Sequence, residues 1–259
     1  MLDVHPPHEA THTWKDFFIH VATICVGLLI AIGLEQTVEA IHHRHQRHQL
    51  EEALKRDAEE NGGYIKDDIL FMKSTIAWAL NDANAIEKAG ATGRVILHRQ
   101  PSGKLILPNA GVWLTAKANG TASLLTAGEQ NWLEELAQLE NTTFVSDNSS
   151  NAQLRAAYES LEQSITGRTV EMANGDLELS KLTPAQRALV VENLRLIAGR
   201  SRDLLQWLIS YETDREYIFS TPPDRLSDAE ELKRFFALWE QIQNANPELR
   251  YTFTAKSSN

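Results

Sequence analysis

Residues 17–34 (FFIHVATICVGLLIAIGL) form one uncharged apolar run whose only strongly polar member is His20. A core helix of a soluble protein shows a polar face within such a length, and this segment shows none. At about 1.5 Å per residue, its 18 residues reach the lower limit for crossing a hydrocarbon layer of about 30 Å. Thr13 and Asp16 have the spacing of a capping box at the helix start. Trp14 and Lys15 are residue types that settle at the headgroup layer. Glu35, Gln36 and Glu39 end the run with no Gly or Pro, so the helix is expected to leave the membrane and continue. A cleaved signal peptide competes with this reading, because Ala31-Ile32-Gly33 has small residues at a cleavage-like spacing. Against it, Asp3, Glu9 and Asp16 outweigh Lys15, the wrong balance for a signal n-region. The expectation is a transmembrane anchor over residues 14–41, preceded by a flexible His-rich tail, 1–13.

Beyond the anchor, apolar residues recur at three-and-four spacing: Leu50, Leu54, Ala58, Ile65, Ile69, Met72, Ile76, Leu80, Ala83 and Ile86. This predicts a long membrane-proximal helix over 42–89, with Gly62-Gly63 as a candidate kink. Val95-Ile96-Leu97 and Leu105-Ile106-Leu107 flank Gln100-Pro101-Ser102-Gly103 and read as a small β-hairpin. Short helices are expected over 110–119, 127–140 and 152–168, with a polar loop over 141–151. Thr183-Pro184 has the form of an N-cap with proline at the first helical position. From there Val190, Leu194, Ile197, Ser201, Leu204, Leu208, Tyr211, Arg215 and Ile218 make a heptad-like seam, a coiled-coil signature. Thr221-Pro222-Pro223 ends it. A last helix over 227–244 carries Leu232, Phe235, Phe236, Trp239 and Ile242 on one side. The predicted fold is mainly α: an anchor helix running into a long amphipathic helix, then a helical-bundle domain over 90–259 with a small β-hairpin.

Four stretches carry a resemblance: Trp14-Lys15-Asp16-Phe17-Phe18-Ile19-His20, then Gly27-Leu28-Leu29-Ile30-Ala31, then Leu34-Glu35-Gln36-Thr37-Val38-Glu39, then His42-His43-Arg44-His45. Together they resemble a group of bacterial single-pass membrane proteins that have no assigned activity. The resemblance covers roughly the first 50 residues and extends to a shorter match over 112–120. It implies a bacterial envelope protein and supplies no chemistry.

Composition narrows the classes. The chain has 42% hydrophobic residues, enough for a packed core, and a net charge of −10, which disfavours nucleic acid as a partner. The single cysteine, Cys25, lies inside the apolar run, so no disulfide framework exists. His8-Glu9-Ala10-Thr11-His12 matches the letters of a zinc-hydrolase motif, but a terminal tail after Pro6-Pro7 supplies neither third ligand nor cleft. No nucleophile elbow, phosphate loop or dinucleotide fingerprint occurs. The expectation is therefore no catalytic residues, no enzyme activity and no cofactor. The sequons at Asn119, Asn141 and Asn148 read as chance.

Eight of the nine histidines lie within residues 5–48. His42, His45 and His48, with Glu39, are the metal-ligand candidates, since residues three apart share a helix face. The plainer reading is a polar collar at the headgroup level with Arg44 and Arg47, and no metal site. His20 reads as an interface residue. Thr23, Gly27 and Ala31 form a small-residue stripe suited to close helix approach, hence to a homodimer in the bilayer. The exit-helix stripe from Leu50 onward is expected to extend that dimer interface. Trp78, Trp113, Trp132, Trp207 and Trp239 read as core anchors. Arg44, Arg47, Lys55 and Arg56 follow the run where Lys15 alone precedes it, which places the large domain in the cytoplasm. Two functions fit: a membrane-anchored structural or interaction protein, and a ligand- or metal-binding sensor module at the membrane surface.

Overall fold

The computed structural model describes residues 14–90, 93–103, 105–106, 108–145, 149–226 and 228–247. The tail with the His8–His12 motif, and the Asn148 sequon, lie outside the described residues. The chain divides into two compact units, 1–49 and 50–259.

Helix α1, Trp14–Ala89, runs unbroken from the apolar run through Gly62-Gly63. In the first unit its apolar 18-residue window has a mean hydropathy of 2.5 and none of it is buried. By length and composition this part of the helix can cross a membrane. Trp14, Phe17 and Phe18 cluster at its start, with ring centroids 5.5–5.8 Å apart.

The second unit is a helical bundle. Its other helices are α2 (Gly111–Asn119), α3 (Ala127–Glu140), α4 (Ser150–Ile165), α5 (Pro184–Ser220) and α6 (Ala229–Asn244). Local chemistry sets their starts. Thr126 and Glu129 close a capping box on α3, and Thr183 and Gln186 do so on α5, where Pro184 opens the helix. Ser149 caps α4 through the Ala152 amide, and Asp228 caps α6. Gly120, at φ 81°, ends α2 in the left-handed conformation that suits glycine.

The core forms around α5. The whole heptad-like seam is buried apart from Arg215, and so is a second row, Val191, Ala198, Leu205 and Ile209. Burial on two rows makes α5 a central helix with neighbours on several sides, wider than the single seam of a two-stranded coiled coil. The 50–89 part of α1 is one of those neighbours, since Ile65, Met72, Ile76, Ala79, Ala83 and Ile86 join the same core. Packing thus divides the chain at residue 49, and the stripe expected to join two chains is used inside one. A smaller cluster gathers Leu50 and Leu54 with Trp113, Ala122, Leu125 and Leu133.

The sheet departs from expectation. Strand β1 (Ile96–Leu97) pairs not with residues 105–106, Leu107 lying outside the described residues, but with β3 (Leu177–Glu178), Ile96 opposite Glu178. Strand β2 (Val170–Glu171) pairs with the other edge of β3, giving the antiparallel order β1-β3-β2. The hairpin is therefore β2–β3, turning through Asn174 and Gly175, whose φ of 83° is the value such a turn requires. The loop expected over 141–151 also begins with a π-helical turn, Asn141–Val145.

Candidate functional site

The histidine collar lies in the first unit, on exposed helix surface. Glu39 stands 4.0 Å from His43 rather than from His42, and the His45 Nε2 is held at 2.9 Å by the side-chain amide of Gln49. The His42 and His43 rings are 6.5 Å apart. Among the described residues no three His, Cys, Asp or Glu side chains converge on a point where a metal ion would sit. Thr23 bonds back to the Ile19 carbonyl at 2.8 Å, and Gly27 has open space around it.

In the second unit the ninth histidine, overlooked in the sequence, pairs with a buried carboxylate. Asp82 on α1 is buried and takes two bonds from His98, one from its backbone N–H at 2.7 Å and one at Nδ1 at 2.6 Å. The hydrogen bond and charge of Asp82 raise the His98 pKa above its ordinary value, with a smaller push from Asp176. Trp78 donates its indole N–H to the His98 carbonyl at 2.9 Å, so this loop is fixed to α1 at three points. Among the described residues no Ser, Thr or Cys lines the cleft beside His98, where the one hydroxyl is that of Tyr158, and the Asp82–His98 pair positions the β1 edge.

A second polar layer crosses the bundle where α1, α3 and α5 meet. Arg215 donates to both Glu212 oxygens at 2.7 Å and to the Ala58 carbonyl at 3.3 Å. Asn61 exchanges two bonds with the backbone of Asn109, at 3.0 and 3.2 Å. Burial, with Asp57 nearby, pushes the Glu140 carboxyl up to about 7. These groups fasten the helices to one another and present no open site.

An open site lies between α3, α5 and α6. It is a groove of about 550 Å³, within the range of small-molecule pockets. Each wall is one helical face. From α3 come Glu135, Gln138 and Leu139, with Thr142 from the π-helical turn that follows it, and from α5 come Trp207, Ser210 and Asp214. From α6 come Phe235, Phe236 and Trp239. Phe235 is anchored from behind by Trp132 at 5.5 Å and Tyr217 at 5.3 Å, measured between ring centroids, so the aromatic floor is held by core packing. Trp207 and Trp239 line this opening, each 38% exposed, and are not the core anchors expected of them. Trp113 is buried, and Trp78 and Trp132 pack against the main core.

Asp214 is the notable group. It is only 8% exposed, and among the described residues its carboxylate meets no cation and no hydrogen-bond donor. Burial pushes its pKa up to about 7, and the charge of Glu135 acts in the same direction. The sequence held a signal for this site: Trp207, Ser210 and Asp214 share a face at three-and-four spacing. So do Glu135, Gln138 and Thr142. Comparison with known protein families, curated proteins and solved structures finds no match to this chain.

Proposed function

We propose that this chain is a single-pass, membrane-anchored helical interaction protein of the bacterial inner membrane, with no catalytic activity of its own. One observation carries the reading: an apolar window of mean hydropathy 2.5, none of it buried, within the unbroken helix α1. Eighteen such residues facing water are costly at about 25 cal/mol per Å² of apolar surface, so this surface needs lipid around it. The resemblance over the first 50 residues agrees with that setting. Carbonate washing of membranes tests it. Full-length protein is expected in the pellet; its release into the supernatant, or a mature N-terminus at Leu34, overturns the anchor.

The groove favours a second reading, a ligand-binding module at the membrane surface. A fixed aromatic floor beside a buried, unpaired carboxylate is a binding arrangement more than a packing one. The metal-binding form of this reading has less support, because His42, His45, His48 and Glu39 bring no third ligand to any shared point.

A further inference from the structure

We propose that the groove between α3, α5 and α6 binds a small organic ammonium ion, with Asp214 as its counter-charge and Trp207, Phe235, Phe236 and Trp239 as its cage. This rests on the ligand-binding reading above and names the ligand class.

The argument begins with what Asp214 lacks. A largely buried carboxyl keeps its proton or, once ionised, calls for a cation or several donors around it. The buried Arg187 elsewhere in the bundle shows the usual remedy: its guanidinium donates to the carbonyls of Gly90, Gly93 and Leu179. Asp214 has no such partners, and its charged neighbour Glu135 is of like sign. The groove thus holds two carboxylates and no cation among the described residues, and the missing charge is positive.

The rest of the wall decides the kind of cation. A hard metal ion such as Ca²⁺ or Mg²⁺ requires six or more oxygens, and here aromatic carbon stands where those oxygens would be. Aromatic faces instead attract alkylammonium groups through the ring quadrupole, most strongly once water is excluded. Anions are repelled by the two carboxylates, and a neutral apolar guest leaves Asp214 unpaired. Phe236, 63% exposed, keeps this side of the groove open to solvent. The groove's titratable groups are Asp214 from α5 and Glu135 from α3, while α6 contributes aromatic side chains alone.

The test uses the full chain in uncharged detergent, titrated with choline and with phenyltrimethylammonium and followed by calorimetry and tryptophan fluorescence. Choline is compared with its uncharged isostere, in which a quaternary carbon replaces nitrogen. Saturable binding of at least one cation is expected. It should weaken about tenfold in Asp214→Asn and also weaken from about pH 8 to about pH 6, as Asp214 takes up a proton. Phe236→Ala, at an exposed position, should lose affinity severalfold with unchanged helix content, which keeps the test valid should Asp214→Asn misfold. Equal affinity for choline and its isostere overturns the cation class and keeps a ligand groove. Absence of saturable binding by all three compounds overturns both, and unchanged affinity in Asp214→Asn overturns the role of that residue.

Discussion

The Arg215 guanidinium lies over the bare backbone of Gly62, so close that a Cβ on Gly62 would stand 2.7 Å from the guanidinium carbon. Next door, Gly63 has nothing within 4 Å of the same construction. Two adjacent glycines in one helix therefore have different reasons to be there. Gly62 makes room for a fork that clamps Glu212 and reaches the Ala58 carbonyl, while Gly63 costs helix propensity with no packing return.

Alanine at the two positions separates these roles. Gly63→Ala is expected to stabilise the chain by about 0.5–1 kcal/mol, the propensity difference at a helix interior. Gly62→Ala gains the same propensity but displaces Arg215 from Ala58, so it should fall below Gly63→Ala by at least about 1 kcal/mol. Urea unfolding of the detergent-solubilised protein measures both. Equal stabilisation by the two substitutions would show that the Arg215 fork moves aside freely.

Stability should decline from mildly acidic to mildly alkaline solution. Burial raises the Asp68 carboxyl to about 6, and Asp214 and Glu140 to about 7, from ordinary values of 3.8 for Asp and 4.5 for Glu. A raised group keeps its proton in the folded chain where the unfolded chain has lost it. Its contribution is therefore full below the ordinary value and lost as pH rises through the folded value. His98, raised by Asp82, acts in the same direction at higher pH. The exposed Asp176, held below its ordinary value by the Arg99 amide, titrates beneath this window. The melting midpoint should thus fall between about pH 5 and about pH 8. Asp214→Asn should recover part of that loss at the alkaline end and leave the acidic end unchanged. A midpoint that climbs with pH would contradict the burial of these acids.

Much of the bundle was legible because its signals are local. The capping boxes at Thr126 and Thr183, the Pro184 start and the three-and-four rows along α1 and α5 lie within a few residues of the positions they specify. The sheet failed for the opposite reason. Val95-Ile96-Leu97 and Leu105-Ile106-Leu107 look alike in isolation, and the choice of partner for β1 is made by β3, some eighty residues later. Asn174-Gly175 is the sequence signal by which the true hairpin could have been found. The groove was harder to read. Phe235, Phe236 and Trp239 look like core residues on one helix, and only the placement of α6 leaves them half covered. Asp214, beside the seam position Arg215, resembles a solvated charge until α3 and α6 close over it.

Asp82 and His98 give a local test of the β1 edge. Asp82→Ala removes the acceptor of the His98 backbone N–H and of its ring, leaving a donor unpaired next to the core, a cost of about 1–3 kcal/mol. His98→Gln keeps the backbone bond and loses a mostly exposed ring contact, worth about 1 kcal/mol or less. Hydrogen exchange at the β1 amides should rise in the first variant and change little in the second. Similar exchange in both would mean that the ring, and not the backbone bond, holds the strand.

Sidedness follows from the charges that flank the run. Arg44 and Arg47, with Lys55 and Arg56 just beyond, face Lys15 alone across it, so the unit that begins at Leu50 is expected in the cytoplasm. A reporter fused after Asn259 that works only in the cytoplasm should be active. Activity of a reporter that works only after export would reverse the assignment.

Self-association, if it occurs, has to rest on the anchor. The stripe from Leu50 through Ile86 is largely buried within its own chain, Leu50 and Leu54 in the smaller cluster and Ile65 to Ile86 in the main core, so it leaves little surface for a second copy. What remains is the face of Thr23, Gly27 and Ala31, where small side chains let two backbones approach and gain packing and Cα–H contacts in lipid. No atom lies within 4 Å of a Cβ built on Gly27, so Gly27→Leu fits the single chain and acts only on a second helix. Cross-linking in native membranes should show a parallel dimer whose yield falls in Gly27→Leu and is untouched by Gly33→Leu, also in open space but away from the stripe. A yield that is the same in both variants and in the parent would remove this face as an interface. With the exit-helix stripe already occupied, the chain would then be a monomer in the bilayer.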